Sequence, residues 1–220
     1  NDYIQNLQIV KELYLEKIMN LINIYPLHLL LSANNKVETI LMFIVYSCSL
    51  DIVKLLINRI ILLSINTTSF VIGGQNSHNI SYEFNEDITL NYINYQTTEG
   101  YTALMCAVIS GNIDNILFLI NNNANITLNT LNGYNTLMGA VIFGHTEIVK
   151  LLLNEYINKL NYSGLIDIKS FHTRVSTPGD AWSNFINHQT NDGYTALICA
   201  SIENNIEIVK ILIEYGADIG

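Results

Sequence analysis

Charge is scarce in this chain, and base is scarcer than acid. Only 13% of its 220 residues are charged, and 10 Lys and Arg against 19 Asp and Glu leave a net charge of −9. Such a chain repels nucleic-acid phosphate, and no basic run reverses the sign locally, which excludes nucleic acid as a partner. Cysteine is nearly absent as well. Cys48, Cys106 and Cys199 are odd in number and far apart, with neither a Cys-x-x-Cys pair nor a Cys/His metal spacing. Cys106 and Cys199 stand at one place in two repeats, where a small, buried, apolar thiol accounts for both, and a reducing intracellular compartment is the expected setting. Long hydrophobic runs are missing too. The most apolar stretch, Ile40 to Leu50, lies between Glu38 and Asp51 and is too short to span a bilayer. A soluble, cytoplasmic protein without membrane attachment is the expectation. No signal peptide is visible, and the chain begins at Asn1 without Met, which points to an excerpt or a processed product.

The usual marks of catalysis are equally thin. Gly73-Gly74 lacks the Lys-Ser/Thr that completes a phosphate loop. Glu83, Glu86 and Asp87 read as a solvated hairpin end, not as an acid–base pair. The five histidines, His28, His78, His145, His172 and His188, are scattered, and His172 with Asp167 and Asp180 makes only a weak metal constellation. No catalytic, cofactor-binding or metal-binding residue is assigned, and no cofactor is expected.

What the chain does have is one phrase written three times. It reads Gly100-Tyr101-Thr102-Ala103-Leu104-Met105, Gly133-Tyr134-Asn135-Thr136-Leu137-Met138 and Gly193-Tyr194-Thr195-Ala196-Leu197-Ile198. The first two glycines are 33 residues apart. A unit of that length implies a stack of small modules, not one globular core. Half the residues are hydrophobic, so composition does not predict disorder. The abundance of Asn, Ile, Leu and Tyr reads as a bias toward AT-rich codons.

Each copy has a physical logic. Glycine stands where a tight turn needs a positive φ. Thr102, or Asn135 in its place, caps the helix that follows. Ala103, Leu104, Ala107 and Val108 give that helix an apolar face, and Ala107, Ala140 and Ala200 recur where neighbouring helices must approach closely. A break at Ser110-Gly111, Phe143-Gly144 and Asn204-Asn205 precedes a second helix. That helix opens on an acid each time, Asp114, Glu147 or Glu207, which suits the positive end of the helix dipole. Lys150 and Lys210 follow their acids by three residues on the solvent side. Gly216 can end the last helix in the left-handed region.

These phrases, together with Gly144-His145-Thr146-Glu147-Ile148-Val149-Lys150-Leu151-Leu152-Leu153 and Tyr215-Gly216-Ala217-Asp218-Ile219, closely resemble the ankyrin repeat. The resemblance implies an all-α solenoid of helix-turn-helix units with a scaffold role for His145. It also implies a noncatalytic module that binds a protein partner through its concave face. The composition is similar to that of giant-virus ankyrin-repeat proteins, which would place it in a host cytoplasm. Two alternatives stay open. One is the substrate-recognition arm of a larger assembly, such as a ubiquitin-ligase adaptor. The other, of a different class, is an enzyme with its site in inserted loops.

The chain then divides as follows: 1–38, a degenerate repeat or helical cap containing Pro26-Leu27-His28; 39–57, a worn repeat; 58–92, an insertion; 93–126 and 127–155, clear repeats; 156–185, a second insertion; 186–220, a last repeat. From Thr39 to Thr102 is 63 residues and from Gly133 to Gly193 is 60, so each interval exceeds one period by roughly another. The strings Ile93-Asn94-Tyr95-Gln96-Thr97 and Ile186-Asn187-His188-Gln189-Thr190 mark where the pattern resumes. In the first insertion, alternating Ile80, Tyr82 and Phe84 followed by Ile88, Leu90 and Tyr92 predict a β-hairpin. The second carries the turn signal Ser176-Thr177-Pro178-Gly179-Asp180 and the only tryptophan, Trp182. Each insertion is either a tolerated spacer or a docking finger, and Trp182 is the candidate anchor.

On the concave side the candidate partner-binding residues are Thr98, Glu99 and Tyr101; Leu131, Asn132 and Tyr134; Asn191, Asp192 and Tyr194; and Phe143. Tyr101, Tyr134 and Tyr194 predict a ladder of rings backed by Ile109, Ile142 and Ile202. The same side chains could serve only to pack tip against tip and to cover each repeat's own core. The chain stops at Gly220 inside an apolar unit without a polar cap, so the natural protein is expected to continue.

Overall fold

The repeated phrase folds the same way each time because its caps are met by the backbone. In the computed structural model, Thr102 Oγ1 accepts from Met105 N at 3.2 Å, Asn135 Oδ1 from Met138 N at 2.9 Å and Thr195 Oγ1 from Ile198 N at 3.2 Å. The second helices are capped by Asn112, on Asn115 N, and Asn205, on Ile208 N. Each cap satisfies a backbone donor that a helix start otherwise leaves open.

The structure describes residues 17, 20, 22–23, 40–47, 49–67, 86–164 and 180–219. Their helices, in chain order, are α1 (Ile40–Ser47), α2 (Leu50–Thr67), α3 (Glu86–Ile93), α4 (Ala103–Ser110) and α5 (Ile113–Asn121). Then come α6 (Thr136–Ile142), α7 (Thr146–Tyr162), α8 (Ala181–Ile186), α9 (Ala196–Ile202) and α10 (Ile206–Glu214). No strand forms among the described residues apart from a single bridge between Asn129 and Asn135.

The helices pair as α1/α2, α4/α5, α6/α7 and α9/α10. First helices pack side by side in the order α1, α4, α6, α9, while α2 packs on α5 and α7 on α10. Ala107, Ala140 and Ala200, at one place in each first helix, have no exposed surface, so the small side chain sets a close helix approach as expected. One apolar cluster runs from Ile22 through Ile52, Leu104, Leu137 and Leu152 to Ala217. Lys150 sits 2.9 Å from Glu147 in its own helix and 3.7 Å from Glu207 in α10, so the acids that open α7 and α10 share one cation. That hydrogen bond to Glu147 is the main cause of an ammonium pKa raised above its ordinary value.

The hairpin expectation fails where it can be examined. Ile88, Leu90 and Tyr92 lie in α3, with Leu90 exposed while Tyr92 and its neighbour Ile93 are both buried. A strand would turn Leu90 and Tyr92 the same way; adjacent buried residues with an exposed one two positions earlier belong to a helix. Ile80, Tyr82 and Phe84 lie outside the described residues. So do His28, His78, Asp167, His172 and the Ser176–Gly179 turn signal, and nearly all of 1–38.

Both insertions therefore return to the stack through a short helix. The phenol oxygen of Tyr92 on α3 accepts a 3.3 Å bond from Leu41 N, in the first turn of α1. Asp180 caps α8 by accepting from Ser183 N at 2.6 Å. Beyond each helix an asparagine reaches the closing turn of the following repeat: Asn94 Oδ1 accepts from Asn125 N at 2.7 Å, and Asn187 Oδ1 from Asp218 N at 2.8 Å. Ile93, Ile126 and Ile186, which stand at one register position, are all buried.

Candidate binding groove

The turn tips form a row of equivalent corners. In each, a threonine closes a tight loop around the glycine: Thr97 N donates to Tyr101 O, Thr130 N to Tyr134 O and Thr190 N to Tyr194 O, all at 2.9 Å. The threonine hydroxyls accept in turn from Tyr101 N, Tyr134 N and Tyr194 N. Neighbouring tips are then bonded to one another, Leu131 N to Glu99 O at 2.9 Å and Asn191 N to Asn132 O at 3.0 Å. The side chains of Thr98, Glu99, Leu131, Asn132, Asn191 and Asp192 remain exposed along this row.

Between the tips and the first helices lies a groove. Its first part, about 580 Å3, is lined by Met42, Phe43 and Tyr46 of α1, by Thr97, Thr98, Glu99 and Tyr101 of the first tip, and by Cys106 and Ile109 of α4. Its second part, about 230 Å3, runs on past Tyr134, Ile142 and Phe143, and the two parts share Tyr101 and Ile109. Of the residues singled out from sequence, Thr98, Glu99, Tyr101, Tyr134 and Phe143 are thus brought together. Leu131, Asn132, Asn191, Asp192 and Tyr194 share the row of tips but line neither part. Tyr101 and Phe143 are 42% and 52% exposed, whereas Tyr134 is half-buried and packs against the core.

Trp182 is not a docking anchor. Only 4% of it is exposed. Its indole N–H donates to Tyr215 O at 3.1 Å, and its ring lies beside Tyr156, Phe185 and Tyr215. Tyr156 stacks most closely on Phe185, at 4.2 Å between ring centres, and burial pushes its phenol pKa up. An indole on an amphipathic helix between two repeats goes into the core, because that buries the most apolar area while its one donor still finds a carbonyl.

Two exposed aromatic residues of the groove escaped the sequence reading, Phe43 and Tyr46, both more than half exposed. A signal existed. Tyr46, Ile109, Ile142 and Ile202 each stand seven residues after the cap position, and Phe43 stands where Cys106, Gly139 and Cys199 stand.

The two described histidines, His145 and His188, are structural. His145 Nε2 lies 3.3 Å from Ile109 O and His188 Nε2 2.8 Å from Gly133 O, so each ring N–H ties its repeat to the preceding one. Among the described residues no group of three His, Cys, Asp or Glu side chains could hold a metal ion. Neither Cys106 nor Cys199 is in a disulfide, and burial, with a smaller effect of Glu203, raises the Cys199 pKa. No described helix is long and apolar enough to cross a membrane.

The stacked helix pairs, corner tips and open groove define a helical repeat solenoid. The profile of ankyrin repeats (3 copies) matches residues 3–163 and 175–220, and the chain belongs to the ankyrin-repeat family. Comparison with curated proteins returned no match. Ankyrin repeats are in general protein–protein interaction modules and typically noncatalytic, and neighbouring repeats together build one continuous surface.

Proposed function

We propose that this chain is a noncatalytic scaffold that holds a segment of a protein partner along its concave face. One observation carries the reading: exposed and half-buried aromatic and aliphatic side chains, some at equivalent positions of successive repeats, merge into a single groove from Phe43 to Phe143. Aromatic residues beside scattered acids suit a polypeptide surface. The working units are those bounded at 39–57, 93–126, 127–155 and 186–220, with the insertions as spacers. Nucleic acid has no role in this reading, because no lining residue of the groove is a base. Cys106 and Cys199, neither of them in a disulfide, fit a reducing cytoplasm.

The test is affinity capture of protein partners by the intact chain and by a Tyr101→Ala, Tyr134→Ala, Phe143→Ala variant, with circular dichroism as the control for folding. The variant is expected to retain its helical signal and to lose the partners that the intact chain captures. An identical set of captured proteins from both would overturn the reading.

A further inference from the structure

We infer that the part of the groove bounded by Phe43, Tyr46 and Tyr101 takes a basic side chain, Lys or Arg, from an extended segment of the partner. The inference rests on the scaffold reading above and names the chemistry of what the groove holds. Three rings from two separate elements face one depression of about 580 Å3 and stay 56%, 57% and 42% exposed. That volume lies within the roughly 300–1,000 Å3 of ordinary ligand pockets. The floor is apolar, with buried Met42 and half-buried Ile109, so it suits the aliphatic stem of a long side chain. The rim carries one carboxylate, Glu99, and no lining residue is a base.

Charge decides between an apolar and a basic occupant. An apolar side chain would cover the rings and strip water from Glu99 without giving it a partner, which is unfavourable. An ammonium or guanidinium group satisfies Glu99 and lies against the negative faces of the rings at the same time. The chain's net charge of −9 draws such a segment in from a distance. The second part of the groove, walled by Tyr134, Ile142 and Phe143, is left for apolar residues further along the same segment.

The experiment selects binders from a random twelve-residue peptide library against the full 220-residue chain. Each selected peptide is then synthesised with its basic residues intact and with each replaced by norleucine. Affinities are measured for the parent chain, Phe43→Ala, Glu99→Gln and the double variant Tyr134→Ala, Phe143→Ala. Phe43 and Glu99 are exposed, so thermal melts are expected to match the parent. The inference expects one shared Lys or Arg and a loss of about tenfold on norleucine replacement. That loss should shrink in Glu99→Gln and in Phe43→Ala. If binding needs Tyr134 and Phe143 but norleucine costs nothing, the basic occupant is wrong and the scaffold reading stands. If no peptide is selected, or every peptide binds all variants equally, both fall.

Discussion

At the tips of the stack, one absent Cβ sets the spacing between repeats. Gly100 and Gly133 both have φ of +84°, and a Cβ on Gly100 would meet Thr130 Cα at 2.7 Å and Leu131 N at 2.8 Å. On Gly133 it would meet Thr190 Cα at 2.9 Å. The third tip is different: Gly193 has the same backbone, φ +81°, but nothing lies within 4 Å of the added atom. Alanine at Gly193 should therefore cost only the left-handed strain, about 1–2 kcal/mol. Alanine at Gly100 or Gly133 should cost more, since backbone and not a mobile side chain blocks the way. Urea unfolding of the three single variants checks this, and equal losses at all three would show that tip contact contributes nothing. Tyr156 makes a second prediction at this scale. Burial raises its pKa above 10.0, so the folded chain holds a phenol proton that the unfolded chain has released. Its contribution is present below pH 10 and falls as pH rises through the folded pKa. Tyr156→Phe should keep the ring stacking, lose the 3.4 Å bond to Ala181 O and flatten the decline of stability above pH 10. Paired unfolding titrations of the parent and variant would read the difference.

At the scale of elements, the two short return helices are what distinguish this array. Each brings the chain back from an insertion and locks the stack: α3 through Tyr92 on α1, α8 through Trp182 and Phe185 between α7 and α10. Neither was legible beforehand. The alternation of Ile88, Leu90 and Tyr92 imitated a strand, and only the burial of Tyr92 and Ile93 together settled the period. For α8 the marks were there, Asp180 as cap and Trp182, Phe185 and Ile186 as its buried side, but six residues are too few to show a period. Because Trp182 serves packing, Trp182→Ala should lower stability by about 3–5 kcal/mol. At a temperature where the variant is still folded, peptide affinity should be unchanged. A variant as stable as the parent but deficient in binding would restore the docking-finger reading of this insertion. Tyr215, which accepts the indole bond at its carbonyl and donates its hydroxyl to Asn154 at 2.9 Å, ties the same junction from the other side.

Over the whole molecule, stability is shared between neighbouring pairs, and the described pairs are not equally covered. The consequence is visible at register-equivalent positions. Met105 and Met138 are 4% and 0% exposed while Ile198 is 42%, and Ile126 is 2% exposed while Ile219 is 77%. In the 220-residue chain amide exchange should therefore be faster in α9 and α10, whose register-equivalent side chains are more exposed, than in α4 to α7. Equal protection throughout would mean that the array unfolds as a single unit. The period of 33, the caps, the buried alanines, the opening acids and the row of tips followed from sequence alone, because each is a local requirement of turn and helix chemistry. Tertiary structure alone decided that Trp182 is core, that residues 86–93 are helical and that Phe43 and Tyr46 join Tyr101 in one groove. Those outcomes depend on which surfaces meet across 26 to 58 residues of chain, and register, which aligns Tyr46 with Ile109, does not say which side chains stay exposed where those surfaces meet.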